Sequence, residues 1–139
     1  MTDNEAFSDR DFARLLELRT RLRGFERWSA EQAAKHELTG SQHQLLLAIR
    51  GHAGDQDPTI SEVAQYLMIG HNSAVGLADR TEKIGLIERH RDPDDHRVVR
   101  LTLTDDGNVR LGALTAAHIE ELARVGPLID ALAKALTAS

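Results

Sequence analysis

The stretch LIERHRDPDDHRVVRLTLT, residues 86–104, decides the fold. Its apolar period is two: Val99, Leu101 and Leu103 alternate with Val98, Arg100 and Thr102. Leu86-Ile87-Glu88-Arg89-His90 forms a first, shorter strand. Between the two strands, Arg91-Asp92-Pro93-Asp94-Asp95-His96-Arg97 supplies turn residues, so the pattern predicts a hairpin with a charged tip. Just upstream the period is near 3.6. One short helix is expected over Ser61–Leu67, apolar at Val63, Ala64 and Leu67, and a second over His71–Ile84, apolar at Ala74, Val75, Leu77 and Ala78. Met68-Ile69-Gly70 is the turn between them and Gly85 stops the second helix. A short helix, a tight turn containing glycine and a second helix make a helix-turn-helix, and the hairpin that follows is its wing.

Working outward, residues 8–36 read as a long amphipathic helix. Ser8 caps it, Asp9 and Asp11 lie in the first turn, and Phe12, Leu15, Leu18, Leu22 and Phe25 form one stripe, widened by Leu16 and Trp28. A second helix opens at Thr39-Gly40-Ser41-Gln42, with Thr39 or Ser41 as cap and Leu45, Leu46, Ala48 and Ile49 inward. Gly51 to Pro58 is a loop. Thr104 or Asp105 caps a long final helical region. A break is expected at Gly126-Pro127, where a last helix begins with apolar Leu128, Ile129, Leu132 and Leu136. The fold class is mostly α with a small β wing. Residues 1–139 are expected to form a single domain, with a lobe at about 38–107 and flanking helices over 8–36 and 105–139. The apolar faces of the two flanks exceed what the middle can cover, which points to a homodimer built from both ends.

Composition narrows the functional classes. The 139 residues include 41% hydrophobic but only 4% aromatic ones, so the core is aliphatic. There is no cysteine, which excludes disulfides, cysteine-ligated metals and thiol switches. Met1 to Asp11 has no apolar run and does not read as a signal peptide, and no stretch is long and apolar enough for a membrane span; a cytoplasmic location is expected. Net charge is −5. Even residues 59–104 set Arg80, Lys83, Arg89, Arg91, Arg97 and Arg100 against seven acids, so a nucleic-acid reading rests on pattern and not on bulk charge.

Several tracts resemble the MarR family of winged helix-turn-helix transcriptional regulators. They are Ile60-Ser61-Glu62-Val63-Ala64 through Leu67, Asn72-Ser73-Ala74-Val75, Asp79-Arg80, and Glu82 through Arg89. The wing tract Arg91 to Thr104, the following Asp106-Gly107, and Leu38-Thr39 with Gln42 resemble it too. The similarity covers about residues 38–107, and its specific part is the wing. The resemblance implies that Arg97 reaches into the minor groove and that Asp95 orients the wing. It also implies a repressor acting as a homodimer on a pseudo-palindromic site of double-stranded DNA. A small, often aromatic or anionic effector would relieve repression from between the dimer helices and the DNA-binding lobe. Two positions depart from the family: His96 stands where a second base is frequent, and Thr81 stands where leucine is common, which loosens the packing expected of that helix.

The candidate residues follow from the chemistry of base and phosphate recognition. His71, Asn72, Ser73 and Gly76 occupy the first turns of the second short helix, where a major-groove reader presents its side chains. Asn72 and Ser73 alternatively cap that helix. Arg80 has a phosphate or structural role, and Lys83 a solvated one with ion pairs to Asp79 or Glu82. Arg97 and Arg91 are the wing candidates, with an ion pair from Arg97 to Asp94 or Asp95 as the alternative. Phe25, Trp28, His43 and Leu46 are candidates for lining an effector pocket, or else belong to the core. The seven histidines are scattered, with no metal-ligand spacing, so neither metal nor cofactor is expected. No phosphate loop or nucleophile elbow supports an enzyme. A winged helix used only for protein contact is the main alternative function, ahead of a metal-responsive regulator or a metal-dependent enzyme.

Overall fold

The computed structural model describes residues 6–138. Five helices and one hairpin follow in the order α1 (Asp9–Lys35), α2 (Gly40–Gly51), α3 (Ile60–Leu67), α4 (His71–Lys83), β1 (Ile87–Arg91), β2 (Val99–Leu103) and α5 (Asp105–Thr137). The chain divides into two compact units. One comprises α1 up to Gln32 together with α5 from Ala116, and the other is Ala33–Thr115.

In the Ala33–Thr115 unit, the starts of α2 and α3 are fixed by reciprocal caps. Thr39 Oγ1 accepts from Gln42 N–H (3.1 Å) while Thr39 N–H donates to the Gln42 side chain (2.9 Å). Thr59 and Glu62 repeat this box at α3, both bonds being 3.1 Å. Thr104 caps α5, accepting from Gly107 N–H (3.1 Å), and it donates its hydroxyl to the Gly85 carbonyl (2.7 Å). The turn after α3 places Met68 in the left-handed region, and Gly85, at φ +80°, does the same after α4. The core of this unit is aliphatic, built around Leu45, Leu46, Val63, Leu77, Leu86, Ile87, Leu101 and Leu114. Thr81 is fully buried within it, and its hydroxyl donates to the Leu77 carbonyl (2.7 Å), so the smaller residue is enclosed with its polar group satisfied.

The hairpin is antiparallel, with Ile87 opposite Leu103 and Arg91 opposite Val99. Strand β1 is shifted one residue from the expected span. Leu86 is buried before the strand starts, and Arg91 belongs to the strand and not to the tip. Pro58 and Thr59 lie along the outer edge of β2: Leu101 N–H donates to the Pro58 carbonyl (2.9 Å) and Thr59 bridges Arg100.

The expected break at Gly126-Pro127 is not there, because α5 runs continuously through Pro127. A proline inside a helix removes one hydrogen bond, to the carbonyl four residues back. That residue, Ala123, is exposed, so water can take up the freed carbonyl. In the α1/α5-end unit, Ser8 and Asp11 form a reciprocal cap at the start of α1 (3.0 and 3.2 Å). Phe12, Leu15, Leu16 and Leu22 of α1 and Ile119, Leu122 and Leu128 of α5 are exposed. Among the described residues no helix is long and apolar enough to cross a membrane.

Candidate nucleic-acid interface

Helix α4 buries Ala74, Leu77, Ala78 and Thr81 and leaves His71, Asn72, Ser73 and Arg80 exposed, with Gly76 partly so. Gly70 is its N-cap residue and supplies no side-chain bond, and neither Asn72 nor Ser73 takes that place. Capping therefore does not occupy these two side chains, and both stand at the open end of the helix. His71 and Val75 face the wing, where they line a cleft of about 430 Å³ with Arg89, His90, Arg91 and Val99.

The ion pairs expected for Lys83 are made instead by Arg89 of β1. Its guanidinium reaches Asp79 and donates to Glu82 Oε1 (2.9 and 3.3 Å), while its backbone N–H donates to Glu82 Oε2 (3.1 Å). These bonds hold the Glu82 carboxyl below its usual range and push the Arg89 guanidinium up. The wing strand thus takes up both acids of the second half of α4.

The wing is organised by Asp92, a residue the sequence did not single out. Asp92 is buried; Oδ1 accepts the N–H groups of Asp94 (2.7 Å) and Asp95 (3.1 Å), and Oδ2 accepts Arg100 Nε (2.7 Å). The Arg100 guanidinium comes first, and the two backbone N–H groups next, in holding this carboxyl below the usual range. Arg100 Nη1 also donates to the Asp57 carbonyl (2.7 Å), fastening the wing to the loop before α3. The available signal was the run Asp-Pro-Asp-Asp, since an aspartate before proline commonly accepts backbone N–H groups two and three residues on.

Arg91 does not point freely outward. Its Nη1 donates to the His96 carbonyl and closes the hairpin tip (2.7 Å). Arg97 does project: its side chain is 90% exposed while Asp95 holds its Nε (3.0 Å), its Nη2 (3.2 Å) and its backbone N–H (3.1 Å). Of the two acids weighed for Arg97, Asp95 is the partner. Arg97 and its backbone N–H hold the Asp95 carboxyl below its usual range. Asp95 orients Arg97, and Asp92 orients the hairpin.

The residues considered for an effector pocket fall as follows. Phe25 and Trp28 stack (centroids 5.7 Å apart), and Trp28 meets the His118 ring (4.8 Å), whose Nε2 bonds Ser29 Oγ (2.6 Å). A cleft of about 270 Å³ opens beside them, lined also by Arg21, Glu121 and Arg124. His43 and Leu46 are buried in the Ala33–Thr115 unit. Among the described residues no group of three or more His, Asp or Glu side chains is placed to hold a metal ion.

Comparisons with known proteins agree with this geometry. A MarR family model matches residues 36–98, from before α2 to the wing tip. The HTH-type transcriptional repressor MdtR of Bacillus subtilis is 29% identical over 94 residues, covering 68% of this chain and 59% of that protein. The regulator PecS of Dickeya dadantii is 25% identical over 87 residues, covering 63% and 52%. The chain therefore spans little more than half the length of these curated relatives. Among solved structures, the DNA complex of Staphylococcus aureus MepR superposes with a TM-score of 0.67 at 21% identity, covering 87% of this chain and 85% of that one. Both curated relatives bear the names of HTH-type transcriptional regulators. Sequence match, helix-turn-helix and braced wing coincide on the same residues, and residues 36–98 of the chain are similar to the MarR family.

Proposed function

We propose that the protein is a sequence-specific DNA-binding transcriptional regulator that works in the cytoplasm. It binds a pseudo-palindromic site as a homodimer and represses until a small molecule releases it. The observation that carries this reading is the combination in one unit of an open polar helix face and a braced wing tip: Asn72, Ser73 and Gly76 are free of capping work, and Arg97 is held outward by Asp95. A side-chain fork on a stiff hairpin suits a narrow minor groove, while the helix suits the adjacent major groove. Arg91 supports the tip from inside through His96.

Homodimerisation is supported by the exposed apolar residues of the α1/α5-end unit, Leu15, Leu16, Leu22, Ile119 and Leu122 among them. An apolar surface of this kind on one unit is what a partner copy would cover. An effector site is supported by the cleft beside Phe25 and Trp28, which offers aromatic faces with Arg21 and Arg124 at its rim.

The test is a binding assay on the DNA upstream of the protein's own gene, with a salt titration and an excess of unrelated duplex. Specific binding that survives the competitor and weakens with salt is expected. Binding no tighter than to the competitor would leave a winged helix that contacts only proteins.

A further inference from the structure

Helix α4 carries its acids on one flank and Arg80 on the other, with Lys83 on the outer face between them. At about 100° per residue, the buried positions 74, 77, 78 and 81 define the inner face, and Asn72 and Gly76 lie opposite it. One flank carries His71, Val75, Asp79 and Glu82. This is the wing side, because His71 and Val75 line the cleft with Arg89 and His90, and Asp79 and Glu82 are bound by Arg89. The other flank carries Ser73 and Arg80. Arg80 is exposed and has no carboxylate partner among the described residues. The acid next to it in sequence is already committed to β1.

The Arg80 side chain folds back along the helix. A Cβ at position 76 would lie 3.3 Å from Arg80 Nη1, tighter than most real contacts of that kind. The guanidinium therefore lies across bare backbone one turn nearer the helix N-terminus, toward Asn72 and Ser73 and away from the last turn.

We propose that Arg80 reads a guanine in the major groove, and that Gly76 is the gap that lets its guanidinium lie in the base-facing strip of α4. This rests on the DNA-binding reading above and assigns it one base contact. The planar fork matches the O6 and N7 acceptors of guanine, which is the commonest specific contact of arginine. Arg89 contributes indirectly as a positioning residue: with Asp79 and Glu82 neutralised on the wing side, the strip near Arg80 presents no carboxylate to repel DNA.

The experiment is selection of duplexes from a random pool by the full chain, comparing wild type, Arg80→Gln and Gly76→Ala, followed by affinity measurement on the wild-type consensus at several salt concentrations. The wild-type consensus should hold one guanine per half-site that Arg80→Gln alone no longer selects, with the other positions kept. Affinity for the wild-type site should fall roughly 5- to 150-fold. Gly76→Ala should weaken the same preference while raising the thermal midpoint, since alanine favours a helix over glycine. These opposite movements separate a displaced Arg80 from a damaged fold. The proposal is overturned if Arg80→Gln keeps the same consensus and loses affinity uniformly with a salt slope shallower by about one, which is a phosphate contact. It is equally overturned if affinity is unchanged. A wild-type chain that enriches no sequence would remove the DNA-binding reading and the guanine contact with it, an outcome distinct from the other two.

Discussion

Replacing Gly107 by alanine puts a methyl carbon 2.1 Å from the Leu86 carbonyl oxygen and 3.1 Å from the carbon of that carbonyl. Real Cβ atoms essentially never approach closer than 3.0 Å, so the first turn of α5 and the segment leading into β1 must part by roughly 1 Å. Overpacking of this kind costs about 1–3 kcal/mol. The same carbonyl accepts Thr104 N–H at 3.0 Å, and disturbing that bond costs about 1 kcal/mol more. Against this, alanine in a helix is favoured over glycine by about 0.5–1 kcal/mol. The balance is a loss of about 1–3 kcal/mol, or a thermal midpoint lower by roughly 3–10 °C. Gly112 in the same helix is the control. It is exposed with nothing within 4 Å of an added Cβ, so Gly112→Ala should gain about 0.5–1 kcal/mol. Both variants and the wild type are to be unfolded thermally at one protein concentration, because a dimer's midpoint depends on it. A Gly107→Ala protein as stable as wild type would refute the close-approach reasoning.

Further expectations follow from the wing and from the helical ends. Arg97→Ala should weaken specific DNA binding about tenfold or more and make the salt slope shallower. Thermal unfolding should be unchanged and Arg97→Lys should restore only part of the affinity; wild-type affinity in Arg97→Ala would show that the wing does not enter a groove. Because the Asp92 carboxyl is held below its ordinary value by Arg100 and two backbone N–H groups, its contribution is full above the unfolded pKa of about 3.9 and is lost as pH falls through the lower folded value. The amide resonances of Asp94 and Asp95 should therefore shift in acid, as pH falls below about 4; resonances that stay in place through that range would contradict the assignment. Leu22→Glu, on an exposed apolar face, should lower the mass seen by light scattering from dimer to monomer while the Ala33–Thr115 unit keeps its helicity; an unchanged dimer would move the interface elsewhere.

The parts of the fold that depend on local pattern were legible. The period change after Gly85 marked the hairpin, the run from Thr39 to Gln42 marked the start of α2 while leaving Thr39 or Ser41 as its cap, and the apolar set of α4 was read correctly down to Ala78. Features that depend on tertiary partners were not. Asp-Pro-Asp-Asp signals that Asp92 takes backbone N–H groups but not that it meets Arg100, because that arginine is brought close only by the hairpin. Arg89 was given no role by local pattern, because only β1 sets it beside Asp79 and Glu82. Thr81 looked like a loosened position, but its hydroxyl returns to the Leu77 carbonyl and the residue is enclosed. At Gly126-Pro127 the local rule for proline was overridden, since the lost bond falls beside an exposed residue of an otherwise continuous helix.

The most direct measurement is a hydroxyl-radical footprint of the full chain on the duplex it selects best from a random pool. Two α4 helices related by a twofold axis, each flanked by an Arg97 wing, should give a symmetric pattern with half-sites about 10 bp apart. Protection of the adjacent minor grooves should disappear in Arg97→Ala. A single asymmetric patch, or protection that an equal mass of unrelated duplex abolishes, would contradict a dimeric, sequence-reading regulator.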